Sequence, residues 1–242
     1  MSEILDDISV VSSDKIEIWD NSKRAKNLLI VFWIIVGLTF AGLFTGYNEL
    51  QILKNVQMGV IISEQEAYTS DLIQMVMGMA QFVIYILSVV MFLNWFRRAY
   101  GNLHRVGVKN LKNGETMAVW AWFIPIVSLF KPVHIMNEIW TKTQRKIQEL
   151  DTSYSIKSVG LIIGLWWTLH IISNIIGRYI LKTAFNDETI EQLIEASQAT
   201  LISDSMQIPE ALLVVLIVSK LSKIELKLAE EIEKSGGNIV YK

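Results

Sequence analysis

One histidine occupies a position where a titratable group could do chemistry. His170 lies near the middle of a long apolar segment, with Asn174 one helical turn further on. An ionisable side chain at membrane depth is a functional candidate by default, and imidazole titrates near neutral pH. His170 predicts either a proton relay or a neutral ring hydrogen-bonded to a neighbouring helix, through Gln81 or Asn94. The sequence suggests no buried carboxylate partner, which favours the hydrogen bond.

A second histidine has the spacing of a metal-binding pair. His134 and Glu138 are four residues apart on a predicted helix, so they could hold one metal ion together. No third ligand lies at a motif distance, and the chain has no H-E-x-x-H sequence. A surface hydrogen bond, or an ion pair between Glu138 and Lys142, is the favoured interpretation. No metal site is predicted.

The sequence has no motif for other kinds of chemistry. The sequence contains no phosphate loop, nucleotide fingerprint, Ser-His-Asp set or paired-carboxylate constellation, and no cofactor is predicted. The absence of cysteine excludes disulfides and thiol chemistry. A net charge of −2 argues against nucleic acid as a partner, because a nucleic-acid binder carries a basic face.

Long uncharged runs determine the fold class. A helix needs about 20 apolar residues to cross the hydrocarbon core of a bilayer, which is about 30 Å thick. The residues between 28 and 47, and between 72 and 96, carry no charge. We predict an all-α polytopic membrane helix bundle with membrane lipid around it and four transmembrane helices. The predicted spans are residues 28–47, 72–96, 158–180 and 208–221.

A fifth apolar stretch, residues 117–130, is too short to cross. Its 14 residues cover about 21 Å as a helix, and Pro125 lies inside it. Basic segments flank it on both sides, so a crossing would place one of them outside the cell. We predict a re-entrant or interfacial segment. Its tryptophans, Trp120 and Trp122, lie either in an aromatic belt at the headgroup level or beside a substrate path.

The distribution of Lys and Arg predicts the orientation. The loop after the first span holds only Lys54, whereas the N-terminal segment, the second loop and the C-terminal segment are basic. Cytoplasmic loops are enriched in such residues, so both termini are predicted in the cytoplasm. The remaining predicted parts are a mobile tail over 1–24, a single membrane domain over 25–235, an amphipathic cytoplasmic helix over 132–149, an extracytoplasmic helix over 187–205, a cytoplasmic helix over 219–235 and a tail over 236–242.

Local signals refine these parts. A short helix or strand near residues 16–19 is expected on the membrane surface. The apolar stripe of the 132–149 helix is expected to face the lipid headgroup layer. A cap at Asn186 or Asp187, and the Thr189-x-x-Gln192 capping box, predict the start of the 187–205 helix.

Two features could join this chain to a protein partner or to a second copy. Gly42-x-x-x-Gly46 is a small-residue pair of the kind that brings membrane helices close together. The C-terminal helix carries an apolar seam that fits either a short coiled coil or packing on the 132–147 helix. The seam consists of Ile217, Leu221, Ile224, Leu228 and Ile232.

The central segment resembles a bacterial membrane family, the domain of unknown function numbered 4328. The resemblance covers roughly residues 72–217, and its motifs lie between residues 97 and 140. They include a tyrosine–asparagine–leucine helix end, a Trp-Phe-Ile-Pro segment, a Lys-Pro step and a Glu-x-Trp helix. The residues concerned are Arg97, Arg98, Tyr100, Asn102, Trp120, Trp122, Pro125, Lys131, Pro132, Asn137, Glu138 and Trp140. The resemblance implies a bacterial inner-membrane protein and implies no activity.

Three functional hypotheses follow. The leading one is a partner-binding or regulatory membrane component, because no catalytic set is present and two amphipathic helices could dock a partner. The alternative is a small transporter or channel, with the Trp122–Pro125 region and His170 along the path. The third is a membrane enzyme that acts on a lipid headgroup through His134, Glu138 or the pair Arg97 and Arg98.

Overall fold

Six helices account for most of the computed structural model, which describes residues 16–183 and 189–241. They are α1 (Ser22–Gln57), α2 (Glu64–Arg105), α3 (Met117–Trp120), α4 (Lys131–Leu150), α5 (Gly160–Thr183) and α6 (Ile190–Lys234). A 3-10 turn over Val127–Leu129 lies between α3 and α4. Helices α1, α2, α5 and α6 are each long and apolar enough to cross a membrane. The predicted all-α bundle with four membrane helices is therefore confirmed.

Helix α6 is the central element, and it is continuous where the sequence predicted two separate helices, one over 187–205 and one that spans 208–221 and continues through 219–235. Its 45 residues run through Pro209 without interruption. A proline inside a membrane helix removes one hydrogen bond, which neighbouring helices and local adjustment can compensate. α6 packs along α1 and α5, so packing outweighs that loss. Its start is the predicted capping box at Thr189. Asn186 and Asp187, the alternative caps, lie outside the described residues.

Helices α1 and α2 form a long hairpin. The sequence treated residues 48–71 as a loop, yet α1 continues to Gln57 and α2 already begins at Glu64. The Ser63 hydroxyl caps α2 by accepting a 3.2 Å hydrogen bond from the backbone N–H of Glu66. The true connection is therefore only six residues long.

The segment 117–130 folds into a tight loop. Its central feature is a γ-turn, in which Val127 N–H donates to the Pro125 carbonyl at 2.7 Å and Ile126 has a φ of 66°. Asn113 and Glu138, which flank the segment, both contact the Tyr100 hydroxyl. The two ends of the segment are thus held together, and Ala118 and Ala121 within it are buried in the core of the bundle.

Helix α4 begins with Pro132 in its first turn, as predicted, but its apolar side does not face lipid. Ile135, Met136, Ile139 and Trp140 are buried in one cluster with residues of α2, α5 and α6. The α6 seam is part of the same packing: Leu221 joins this cluster, and Leu228 and Ile232 join Ile147 in a second one. Of the two interpretations of the seam, the structure shows packing on α4.

Residues 16–24 and 236–241, which the sequence placed in tails, pack on the bundle. Strand β1 (Glu17–Trp19) pairs in parallel with strand β2 (Asn238–Val240). The described parts of 1–24 and of 236–242 are therefore packed on the bundle and are not free tails. Ile18 anchors the pair, because it is buried against Val106 and the end of α6. Residues 1–15 and 242 lie outside the described part.

Candidate functional site

Three polar residues form a row on α6 inside the apolar region. Asp204, Gln207 and Glu210 follow one another at intervals of three residues, so the row extends about 9 Å along the axis. Each residue contacts a different helix. The pairs are Gln81 of α2 with Asp204 at 3.4 Å, Thr39 of α1 with Gln207 at 2.5 Å, and His170 of α5 with Glu210 at 2.9 Å.

The His170–Glu210 pair is the titratable centre of this row. Nδ1 of His170 lies 2.9 Å from a carboxylate oxygen of Glu210. A ring nitrogen and a carboxylate oxygen can approach so closely only with a proton between them. The Asn174 amide nitrogen lies 3.2 Å from Nε2 and can donate to it. These contacts fit a neutral ring that donates from Nδ1 to an ionised Glu210.

The sequence-based choice of partner for His170 was wrong. Gln81 pairs with Asp204 instead, and Asn94 is exposed and takes part in no hydrogen bond that we find among the described residues. The carboxylate was missed because Glu210 follows Pro209, where the sequence predicted the start of a new helix near the membrane surface. The continuity of α6 brings Glu210 to the level of His170. Two acidic residues spaced six apart within an apolar stretch were the available signal.

Indole rings cover His170. Trp122 of the 117–130 loop has its ring centre 5.7 Å from that of His170, and Trp167 lies at 5.2 Å. Trp166 completes the cover at 6.2 Å. The indole N–H of Trp167 donates to the Leu129 carbonyl at 2.9 Å, which ties the loop to α5. The loop and the titratable pair are therefore in direct contact.

A second polar network surrounds Tyr100 beyond the end of the predicted span. The Tyr100 hydroxyl donates to Glu138 at 2.9 Å and accepts from the Asn113 N–H at 3.2 Å. Burial, together with the hydrogen bond to Glu138, raises the pKa of Tyr100 to about 12. The expected ion pair between Glu138 and Lys142 is absent from the described residues, because Lys142 donates to the Lys109 carbonyl instead. Glu138 ties α4 to α2.

The predicted arginines have structural partners. Arg97 and Arg105 both bind Glu115, at 3.2 Å and 2.9 Å. Arg98 stacks over the Trp19 ring, with its guanidinium carbon 4.6 Å from the ring centre. Sequence reasoning missed Glu115, which lies in a turn with no motif around it.

A buried carboxylate lies under the terminal strands. Asn21 donates from its amide to Glu225 at 3.2 Å and to the Trp95 carbonyl at 3.2 Å. Asn102 makes two hydrogen bonds to the backbone of Trp19, at 3.1 Å and 2.8 Å, and so extends the small sheet. Burial raises the pKa of Glu225 to about 7. Glu225 lies beyond the apolar part of α6.

The other predicted residues are scattered. Trp120 and Pro125 are exposed on the loop, and Trp140 is buried, with its indole N–H donating to the Lys157 carbonyl at 2.7 Å. Lys131 and Asn137 line a cavity beside Glu138. Within the described ranges no group of three or more acidic or histidine side chains could hold a metal ion.

Comparison with known proteins identifies one family. The family model described as Domain of unknown function (DUF4328) matches residues 59–223, about two thirds of the chain. The matched range includes the His170–Glu210 pair, the 117–130 loop and the Tyr100 network. No curated protein matches the chain. No solved structure matches it.

Proposed function

Since the chain belongs to the family described as Domain of unknown function (DUF4328), we propose that it is a small proton-coupled transporter of the bacterial cytoplasmic membrane. Both termini lie in the cytoplasm, and the 117–130 loop enters the membrane and returns to the side from which it came. The protein takes up a proton at the His170–Glu210 pair, and the charge change repositions the loop. The substrate path runs past Trp122.

One observation carries this proposal: a histidine and a glutamate lie 2.9 Å apart among apolar helices, in contact with a non-helical loop. Protonation of this pair changes its net charge in apolar surroundings, where a change of charge costs free energy. The Asn174 amide would then have to turn its oxygen toward Nε2. The indole ring of Trp122 rests on the same imidazole and responds directly.

The row on α6 supplies a route to the pair. Asp204 and Gln207 lead from the end of the bundle near the α1–α2 hairpin to Glu210, and the charge distribution places that end outside the cell. Tyr85 of α2 interacts electrostatically with Glu210.

Tryptophan fluorescence tests proton uptake. A protonated imidazole quenches a neighbouring indole, so tryptophan emission should fall when the sample is acidified. His170→Gln should remove this transition, and the exposed His134→Gln should leave it unchanged. In sealed proteoliposomes, acidifying the side of the hairpin should produce the response, and Glu210→Gln should abolish proton movement. A transition that survives in His170→Gln would refute the proposal.

The absence of cysteine makes the orientation directly testable. Single cysteines at Ile61, in the hairpin tip, and at Arg145, on the exposed side of α4, can be labelled with an impermeant maleimide. Ile61→Cys should react in intact cells, and Arg145→Cys should react only after the membrane is permeabilised. Labelling of Arg145→Cys in intact cells would place α4 outside and remove the re-entrant loop.

A partner-binding role is the second candidate, and the hairpin tip supports it. Met58, Val60 and Ile61 are 72 %, 50 % and 96 % exposed at the end of α1 and α2. Exposed apolar side chains grouped at the end of two helices are typical of a surface that binds another protein. By contrast, Gly42 and Gly46 are occupied inside the bundle by contacts with α2 and α6. Crosslinking from Gln57→Cys, exposed at the end of α1, should give one product of discrete mass, which Ile61→Asp removes. Only monomer in both cases would exclude this role.

A further inference from the structure

A cavity of about 540 Å³ lies beside the return of the 117–130 loop. Its walls come from the turn before the loop, from the last residue of the loop and from the first three turns of α4. The residues that matter are Lys112, Phe130, Lys131, His134, Glu138 and Lys142. This cavity is separate from the His170–Glu210 pair.

The cavity carries excess positive charge. Three lysines line it, and Glu138 is the single carboxylate among its lining residues. That carboxylate already accepts hydrogen bonds from the Tyr100 hydroxyl and from the Lys112 backbone N–H. In the described part of the chain, Lys112 and Lys131 form no ion pair, and Lys142 donates to a backbone carbonyl at 3.3 Å. Three ammonium groups against one carboxylate leave this concave space with a net positive charge, which attracts an anion.

One further feature points the same way. Helix α4 starts at Lys131 without a side-chain cap, so the positive end of its dipole lies at the cavity. His134 adds no donor, because its Nδ1 already contacts the Phe130 carbonyl and a neutral ring that donates from Nδ1 has only an acceptor at Nε2. Lysines and a helix start together suit the oxygen atoms of a phosphate group.

The apolar side chains beside the cavity indicate which class of phosphate compound it would bind. Phe130 lines the cavity and is 60 % exposed, and Leu129 and Ile126 of the same loop are 43 % and 75 % exposed. A free phosphate would gain nothing from these side chains, whereas acyl chains would cover them. We propose that this cavity binds the phosphate headgroup of an anionic phospholipid, with the acyl chains along Leu129 and Phe130. This site rests on the membrane placement of the loop in the proposed function.

Retention of lipid by the purified protein tests the site. The detergent-solubilised full chain is mixed with equal amounts of phosphatidylglycerol and phosphatidylcholine, and bound lipid is measured by native mass spectrometry. Wild type should retain phosphatidylglycerol preferentially. The double variant Lys131→Gln/Lys142→Gln should bind it about 25-fold more weakly, because each lysine near an anionic headgroup contributes roughly a fivefold factor. Arg145→Gln, on the exposed side of α4 away from the cavity, is the matched control and should bind like wild type.

Three results would overturn the site: equal retention of both lipids, unchanged retention by the double variant, or displacement of phosphatidylglycerol by inorganic phosphate at comparable concentration. The last would identify a free anion as the ligand. His170→Gln should retain lipid normally, so a failure of proton coupling does not remove the lipid site. Conversely, the double variant should keep the pH-dependent fluorescence, so failure of the lipid site does not remove proton coupling.

Discussion

Replacing Glu225 with glutamine should make the terminal strands insensitive to pH. The Glu225 carboxylate is buried under β1 and β2, where Asn21 donates to it at 3.2 Å. Glutamine has nearly the same shape and can accept the same hydrogen bond from Asn21. The substitution removes only the titration, so the protein keeps its packing while it loses the cost of burying a charge.

The magnitude follows from the pKa. In the folded protein the pKa of Glu225 is about 7, against an ordinary 4.5. Between these two pH values the folded state holds a proton that the open state has lost, so stability falls as the pH rises. The difference between the two pKa values lowers the free energy of opening by about 3 kcal/mol, at about 1.4 kcal/mol for each pH unit. The loss is complete above pH 7 and absent below 4.5.

Hydrogen exchange measures this opening locally. Peptides that contain β1 and β2 report the free energy of opening after correction for the intrinsic exchange rate at each pH. Wild type should be about 3 kcal/mol less protected at pH 8 than at pH 4.5, and Glu225→Gln should be equally protected at both. Glu231→Gln is the control, because Glu231 contributes to stability with the opposite dependence on pH. Hydrogen bonds from Lys227 and Lys234 lower the pKa of Glu231, so its contribution is lost as the pH falls. Equal pH slopes for wild type and Glu225→Gln would refute this argument.

Three substitutions test the packing through thermal unfolding in detergent. Gly42→Ala places a Cβ 2.6 Å from the Gln81 amide nitrogen on α2 and should lower the free energy of unfolding by about 1 kcal/mol. In the control Gly37→Ala the new Cβ meets nothing within 4 Å, so stability should not change. Equal melting temperatures for the two variants would contradict this. Tyr100→Phe removes one of the two hydrogen-bond donors to the Glu138 carboxylate on α4 and should cost about 1 kcal/mol; an unchanged melting temperature would exclude a stabilising role. Ile126→Gly relieves a φ of 66° and should gain about 1 kcal/mol, while Ile124→Gly should lose stability.

The membrane spans were predictable because length and apolarity are local properties of the chain. Hydrophobic runs of the required length identify α1, α2 and α5 directly. The start of α4 at a Lys-Pro step was predictable for a similar reason, since Pro132 favours the first turn of a helix. The fold class therefore follows from one-dimensional patterns.

The contacts of the site were not predictable in this way. The pairing of His170 with Glu210 joins residues 40 positions apart, and it depends on α6 continuing through Pro209. No local pattern decides whether a proline ends a helix or is carried within it by packing. The two terminal strands are only three residues long, which is too short for a periodic signal, and their pairing is a contact between the two ends of the chain.

The continuity of α6 has a mechanical consequence. Glu210 and Glu225 lie on one unbroken rod on the same side of Pro209, about 22 Å apart along its axis. Because the helix is continuous, a rotation of α6 about its axis turns both carboxylates through the same angle. Turning it by about 20° would sweep its side-chain tips through about 2 Å, given a helix radius of about 6 Å. Such a sweep exceeds what the 3.2 Å bond between Asn21 and Glu225 tolerates. A rotation of α6 that begins at Glu210 would therefore also break the hydrogen bond between Asn21 and Glu225 beside strand β1.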